Sequence, residues 1–260
     1  IPTTPTTAMN RAGSGLANPD LDHRMEYFDP KTRPTAIFWD GQLLLTTPFE
    51  VIRSTATTTF AGALSAAAAP DANPLVEGDR AHILRLAKRA YARLTEAPED
   101  IAPRIDLCTA ALLQNRAADD DASGATGPRH PVFGGDYALA TALHVRYPHV
   151  GQGEATSVLA ATVARRAPTP DLDTARRVAQ LLDAWQDTMT AEQATQAAAN
   201  AIERTYEAAG MPTRIRDLNI PREDFPLLAE ATLKNFNANQ GLRDPDQQRR
   251  HTLELLEAAW

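Results

Sequence analysis

Residues 132–166, VFGGDYALATALHVRYPHVGQGEATSVLAATVARR, decide the fold class. Small and apolar residues recur at spacings of three and four on either side of Tyr147-Pro148-His149-Val150-Gly151. The stretch therefore predicts a helix, a tight turn and a second helix. Its inward positions are Ala, Leu and Val, and its polar residues gather in the turn.

Outward from this hairpin the helical pattern continues both ways. Phe49 to Ala69 is a long Ala/Thr-rich run that Pro70 stops, and its low polarity predicts a helix buried on most sides. Asp79 to Leu94 puts Ile83, Leu84, Ala87, Tyr91 and Leu94 on one face, and Ile101 to Arg116 does the same with Ile105, Cys108, Leu112 and Leu113. Between that helix and the hairpin, Ala117 to His130 collects Asp119, Asp120, Asp121, Gly124, Gly127 and Pro128, which predicts an exposed acidic loop. Downstream, Pro170-Asp171 opens a helix expected to run through Trp185. Thr190 with Gln193 forms a capping-box pattern for a helix ending at Gly210. Pro221 suits the start of a helix carrying Leu227, Leu228, Ala231 and Leu233. A last helix follows Asp244-Pro245 and buries Leu253, Leu256 and Trp260. Only the start differs: residues 1–20 favour turns, including Arg11–Gly15, and Met25–Phe28 and Thr35–Trp39 read as short strands. The fold class is mainly α.

Composition narrows the function. The 260 residues carry a formal net charge of -7, which argues against a nucleic-acid partner, because phosphate binding needs a basic face. No apolar run reaches the ~20 residues that span a bilayer. Cys108 is the single cysteine, so an internal disulfide is excluded, and its apolar helical surroundings predict a buried, inert thiol. The chain begins at Ile1 with no signal-like segment, and the expected location is cytoplasmic.

Several separated segments resemble the iron-containing alcohol dehydrogenase and maleylacetate reductase family, which shares a two-domain fold with dehydroquinate synthase. Ile1-Pro-Thr-Thr4 is similar to the family's IPTT strand. Arg33-Pro-Thr-Ala-Ile-Phe-Trp-Asp40, followed by Gly41 to Pro48, resembles its strand and turn ending in DP-x-L-T-x-x-L-P. Ala209-Gly-Met-Pro-Thr-Arg-Ile-Arg-Asp-Leu218 resembles LGLPTRLRDLG, and Glu257-Ala-Ala-Trp260 a common family C-terminus. The resemblance implies that residues 1–47 are the terminal strands of a nucleotide-binding α/β domain and residues 48–260 the all-helical C-terminal domain. It also implies an NAD or NADP cofactor whose main phosphate loop lies upstream of Ile1, with Thr3, Thr4, Thr6 and Thr7 near the cofactor.

The chain departs from the family at the metal. Metal-binding members use an Asp and a His four residues apart on one helix, then two His residues from the hairpin. A gap-free alignment after Pro48 puts Phe60 and Leu64 at the first two positions, lining the substrate cleft. Anchoring Gly153-Glu-Ala on the family's HG-x-A puts Ala138 and Gln152 at the hairpin positions, with Ala142 replacing a further His. No iron or zinc is expected, since Phe, Leu and Ala are not ligands and a lone Gln is a weak one. A polarising side chain then has to replace the metal, and Gln152, His144, His149 and Tyr147 are the candidates. His82, His130 and His251 are expected at the surface, and His23 beside Asp20 and Asp22.

The implied activity is hydride transfer between NAD(P) and an alcohol or carbonyl compound in the cleft between domains. The substrate is a small molecule or a carrier- or peptide-bound alcohol, and a homodimer is allowed for. The alternative is a catalytically inactive pseudoenzyme that serves as a binding or assembly partner.

Overall fold

The computed structural model describes residues 1–18, 20, 24–69, 74–120, 133, 135–235 and 244–260. The acidic loop expected after Ala117, with His130, and the expected surroundings of His23 fall largely outside these residues. The start of the chain is pinned to the helices behind it. Thr47 Oγ1 donates to Thr3 O at 2.8 Å, Thr59 Oγ1 to Pro5 O at 2.6 Å and Asn115 Nδ2 to Thr7 O at 2.7 Å. A turn of 3-10 helix, Thr7–Asn10, follows and is capped by the Thr6 hydroxyl.

Strand β1 (Gly13–Ala17) pairs antiparallel with β2 (Arg24–Phe28), with Gly13 opposite Phe28. The strand expected at Met25–Phe28 is present, but the turn expected at Arg11–Gly15 is largely β1. Its glycines carry no strand preference, so the segment takes its extended form from pairing with β2. Thr35–Trp39 forms no strand. It runs unpaired with Phe38 67% exposed, because β-branched and aromatic residues make a strand only where a neighbour supplies the ladder.

The helices follow in order. They are α1 (Gly41–Leu45), α2 (Phe49–Ala68), α3 (Pro74–Glu96), α4 (Ile101–Asp120), α5 (Tyr137–Arg146) and α6 (Gln152–Arg166). Then come α7 (Leu172–Leu181), α8 (Ala191–Ala208), α9 (Phe225–Leu233) and α10 (Pro245–Ala259). The capping signals of the sequence hold. Asp40, Asp136, Asp171 and Asp244 each accept from the first turn of their helix, and Thr190 and Gln193 close a full capping box on α8. Gly210, at φ +69°, ends α8 in the left-handed region where a Cβ is strained. Two boundaries differ from expectation. Helix α4 runs on to Asp120, and α7 stops at Leu181, because the chain turns through Asp183 at φ +56° before reaching Trp185.

Two cores share one wall. Ile52, Phe60 and Leu64 of α2 pack with α3, α4 and α8, joined by Ala160 and Ala164 of α6. Val158, Leu159 and Val163, on the other side of α6, pack with α5, α9 and α10 through Leu139, Leu143, Phe225, Leu228 and Leu256. The alanines let α6 approach α2 closely, while its larger residues fill the second core. Cys108 lies fully buried in α4, and burial pushes its thiol up to about 12, so it is protonated and unreactive at neutral pH.

Candidate functional site

Helix α2 touches the N-terminus of α6 through Ser54 and the first residues of the chain through Thr59. Helix α2 has two sides. Ile52, Ala56, Phe60, Ala63 and Leu64 are fully buried, whereas Val51, Ser54, Thr55, Thr58 and Gly62 recur at three and four residues along a half-open stripe. One end of that stripe touches α6. Ser54 Oγ accepts from Gly153 N at 3.0 Å and donates to Glu154 Oε2 at 2.6 Å. Gly151, the N-cap of α6, has no capping side chain of its own, so Ser54 satisfies an otherwise orphaned amide from the neighbouring helix. The contact also explains Gly153, because a Cβ there would stand 2.6 Å from Ser54 Cα. At the other end, Gln114 of α4 lies across Gly62 and donates from Nε2 to Thr59 O at 2.9 Å, filling space a larger residue at Gly62 would need.

The expected site residues separate when placed in the structure. Phe60 does not line an open cleft. Its ring stacks on Tyr91 at 5.7 Å between centroids and meets Tyr206 edge-on at 5.8 Å, and Leu64 is equally buried in the same core. Both positions that the gap-free alignment selects thus lie on the buried side of α2, whereas Ser54, Thr58 and Gly62, also four residues apart, lie on its half-open side. Ala138 and Ala142 sit on α5 at 3% and 6% exposure, and Ala142 belongs to the second core.

Gln152 occupies the first turn of α6 half-buried, and its amide makes no hydrogen bond with another described residue. His144 is half-buried in the last turn of α5. His149 is exposed, with Nε2 3.0 Å from Leu218 O, and its ring lies edge-on to Tyr147. The Tyr147 hydroxyl donates to Asp224, which Arg146 also approaches at 3.5 Å. Burial and the Asp224 carboxylate push the Tyr147 phenol up, so it stays protonated. These turn residues latch the hairpin to the segment entering α9.

At the cofactor side, the carbonyls of Thr3 and Thr7 are hydrogen-bonded to the helices, while the hydroxyls of Thr3, Thr4 and Thr7 bond no described residue. A fixed backbone that presents uncommitted hydroxyls fits the polar groups of a nucleotide cofactor. The metal fails the same test. The side chains gathered here are hydroxyls, an amide, alanines and a single carboxylate, Glu154, and among the described residues no group of three His, Cys, Asp or Glu converges. Such a donor set does not fit divalent iron or zinc, which take imidazole, carboxylate or thiolate ligands. His82 is exposed as expected, whereas His251 is half-buried.

Comparison with known proteins agrees with this architecture. Residues 54–260 match the model of the Fe-containing alcohol dehydrogenase family, C-terminal part. The chain is 26% identical over 205 residues to the 1,3-propanediol dehydrogenase of Citrobacter freundii, covering 79% of this chain and 50% of that protein. The corresponding protein of Klebsiella pneumoniae is 25% identical over 233 residues, covering 90% of this chain and 57% of its own. The chain thus spans about half the length of these curated relatives. Among solved structures, an alcohol dehydrogenase from Oenococcus oeni superposes with a TM-score of 0.83 at 19% identity, covering 99% of this chain and 64% of that one. The chain belongs to the Fe-containing alcohol dehydrogenase family.

Proposed function

We propose that this chain is the helical part of an alcohol oxidoreductase that moves a hydride between NAD(P) and an alcohol or carbonyl compound without a metal. Residues 1–47 then belong to the edge of the nucleotide-binding domain and 48–260 to the helical domain. The bound nicotinamide supplies or accepts the hydride, and Thr3, Thr4, Thr6 and Thr7 border it. The carrying observation is Gln152: its amide is half-buried, uncommitted, and next to the hydroxyl stripe of α2. An amide N–H placed there polarises a carbonyl oxygen as the hydride arrives, the role a metal otherwise plays. His144, His149 and Tyr147 are the other candidates for that role, and of these His149 contacts Leu218 O and Tyr147 donates to Asp224. The half-open α2 stripe would border a small alcohol or the end of a carrier- or peptide-bound one, with Ala138 and Ala142 as the further cleft candidates. A homodimer in the cytoplasm is the expected setting, and no helix among the described residues is long and apolar enough to cross a membrane.

The test uses the full-length protein. NADH binding is measured by calorimetry, and Gln152→Ala is compared with the unaltered protein in carbonyl reduction. The expected result is dinucleotide binding and a fall of about 10²-fold or more in kcat with the fold intact. Unchanged kinetics remove Gln152 from the chemistry. Failure to bind NADH or NADPH favours the second reading, an inactive member kept as a binding or assembly partner.

A further inference from the structure

We propose that Ser54 and Glu154 form a proton relay that takes the hydroxyl proton of the substrate alcohol. The inference rests on the oxidoreductase reading above and assigns a base to the same site. A serine hydroxyl has one proton to donate and two lone pairs to accept with. Ser54 donates its proton to Glu154 Oε2 at 2.6 Å and uses one lone pair on Gly153 N–H at 3.0 Å. One lone pair is left, and Ser54 is half-buried on α2, so an incoming hydroxyl can donate to it.

Alcohol oxidation then balances. The substrate O–H proton passes to Ser54 Oγ as the Ser54 proton passes to the Glu154 carboxylate. The carbinol C–H leaves as hydride to the nicotinamide, and the carbonyl product forms. Alcohol, oxidised dinucleotide and carboxylate become carbonyl compound, reduced dinucleotide and carboxylic acid. Glu154 is half-buried, so its proton leaves to solvent between turnovers. The Gly153 N–H steadies the negative charge that grows on Ser54 Oγ during the transfer.

The same contacts would also arise if Ser54 merely capped α6, and the variants separate the two. Glu154→Gln keeps an acceptor for the Ser54 hydroxyl but cannot take a proton. The surrounding ionisable groups are Arg53 on α2 and Tyr91 on α3, both of which interact electrostatically in this cluster, with Tyr206 of α8 packed edge-on to Tyr91. Burial pushes both phenols up, so neither substitutes as base near neutrality.

The experiment measures NAD(P)-linked oxidation of a primary alcohol by the full-length protein across pH, for the unaltered protein, Glu154→Gln, Glu154→Asp and Ser54→Ala. The relay predicts a loss of about 10²-fold or more in kcat for Glu154→Gln with KM little changed. It also predicts loss of the acid-side pH dependence, partial rescue by Glu154→Asp, and a retained melting temperature for Glu154→Gln. Active Glu154→Gln with the unaltered pH profile overturns the relay and leaves the oxidoreductase reading standing. No alcohol oxidation by the unaltered protein overturns both.

Discussion

At the scale of single residues, the side of a helix on which a residue lands decides its role. Phe60 and Thr58 are two positions apart, yet Phe60 is wedged between Tyr91 and Tyr206 while Thr58 lies on the half-open stripe. Two residues turn a helix by about 200°, so a shift of that size exchanges the buried side for the half-open one. The sequence did carry the signal: Ser54, Thr58 and Gly62 repeat every four residues as small or polar positions inside an Ala-rich run. Phe60 and Leu64 share the same spacing of four on the buried side. If Phe60 is a core residue, Phe60→Ala costs about 3–5 kcal/mol in denaturant unfolding of the full-length protein. A cost below about 1 kcal/mol would place the ring outside the core.

At the scale of elements, α6 is the member on which the others register. Its N-terminus is tied to α2 through Ser54, Ser157 Oγ donates to Pro212 O at 2.7 Å, and its last turn is tied to α8 by Arg165 on Glu203. Arg214 completes that network from the segment after α8. Burial acts to raise the Glu203 carboxyl, but hydrogen bonds from Arg165 and Arg214 outweigh it and hold the carboxyl below its ordinary value. A carboxyl depressed in the fold stabilises it above the unfolded pKa and loses that contribution as pH falls through the folded one. The network is therefore fully effective at neutral pH and fades on acidification below the ordinary carboxylate range. Glu203→Gln is expected to lower the melting temperature at pH 7 and to flatten its decline toward acid. An acid arm as steep as in the unaltered protein contradicts this account.

Across the whole molecule, residues 54–260 match the Fe-containing alcohol dehydrogenase family, and the contact between α2 and α6 gathers hydroxyls, an amide and one carboxylate, Glu154. The two larger apolar cores of this chain share α6, and neither contains a converging ligand set among the described residues. Ligands that bind only the native state raise its melting temperature, and their removal lowers it. Chelator treatment of the purified full-length protein is thus expected to leave melting temperature and activity unchanged. Stoichiometric iron or zinc by elemental analysis would mean that ligands outside these residues complete a site.

The helical class, the hairpin of α5 and α6, the capping box of α8 and its end at Gly210 were legible in the sequence because they depend on local periodicity and on residues within one turn of each other. The family was legible for a related reason, since its motifs lie in separate segments whose order is itself a sequence property. Strand pairing was not: Gly13–Ala17 became a strand, and Thr35–Trp39 did not, according to which had a neighbour. The contacts between helices were not legible either. Ser54 meets Glu154 across one hundred positions and Gln114 covers Gly62 across two helices, contacts that exist only once the α2 and α6 axes are set by packing. Local physics fixes what each segment becomes, and only tertiary packing fixes which sides of those segments face one another.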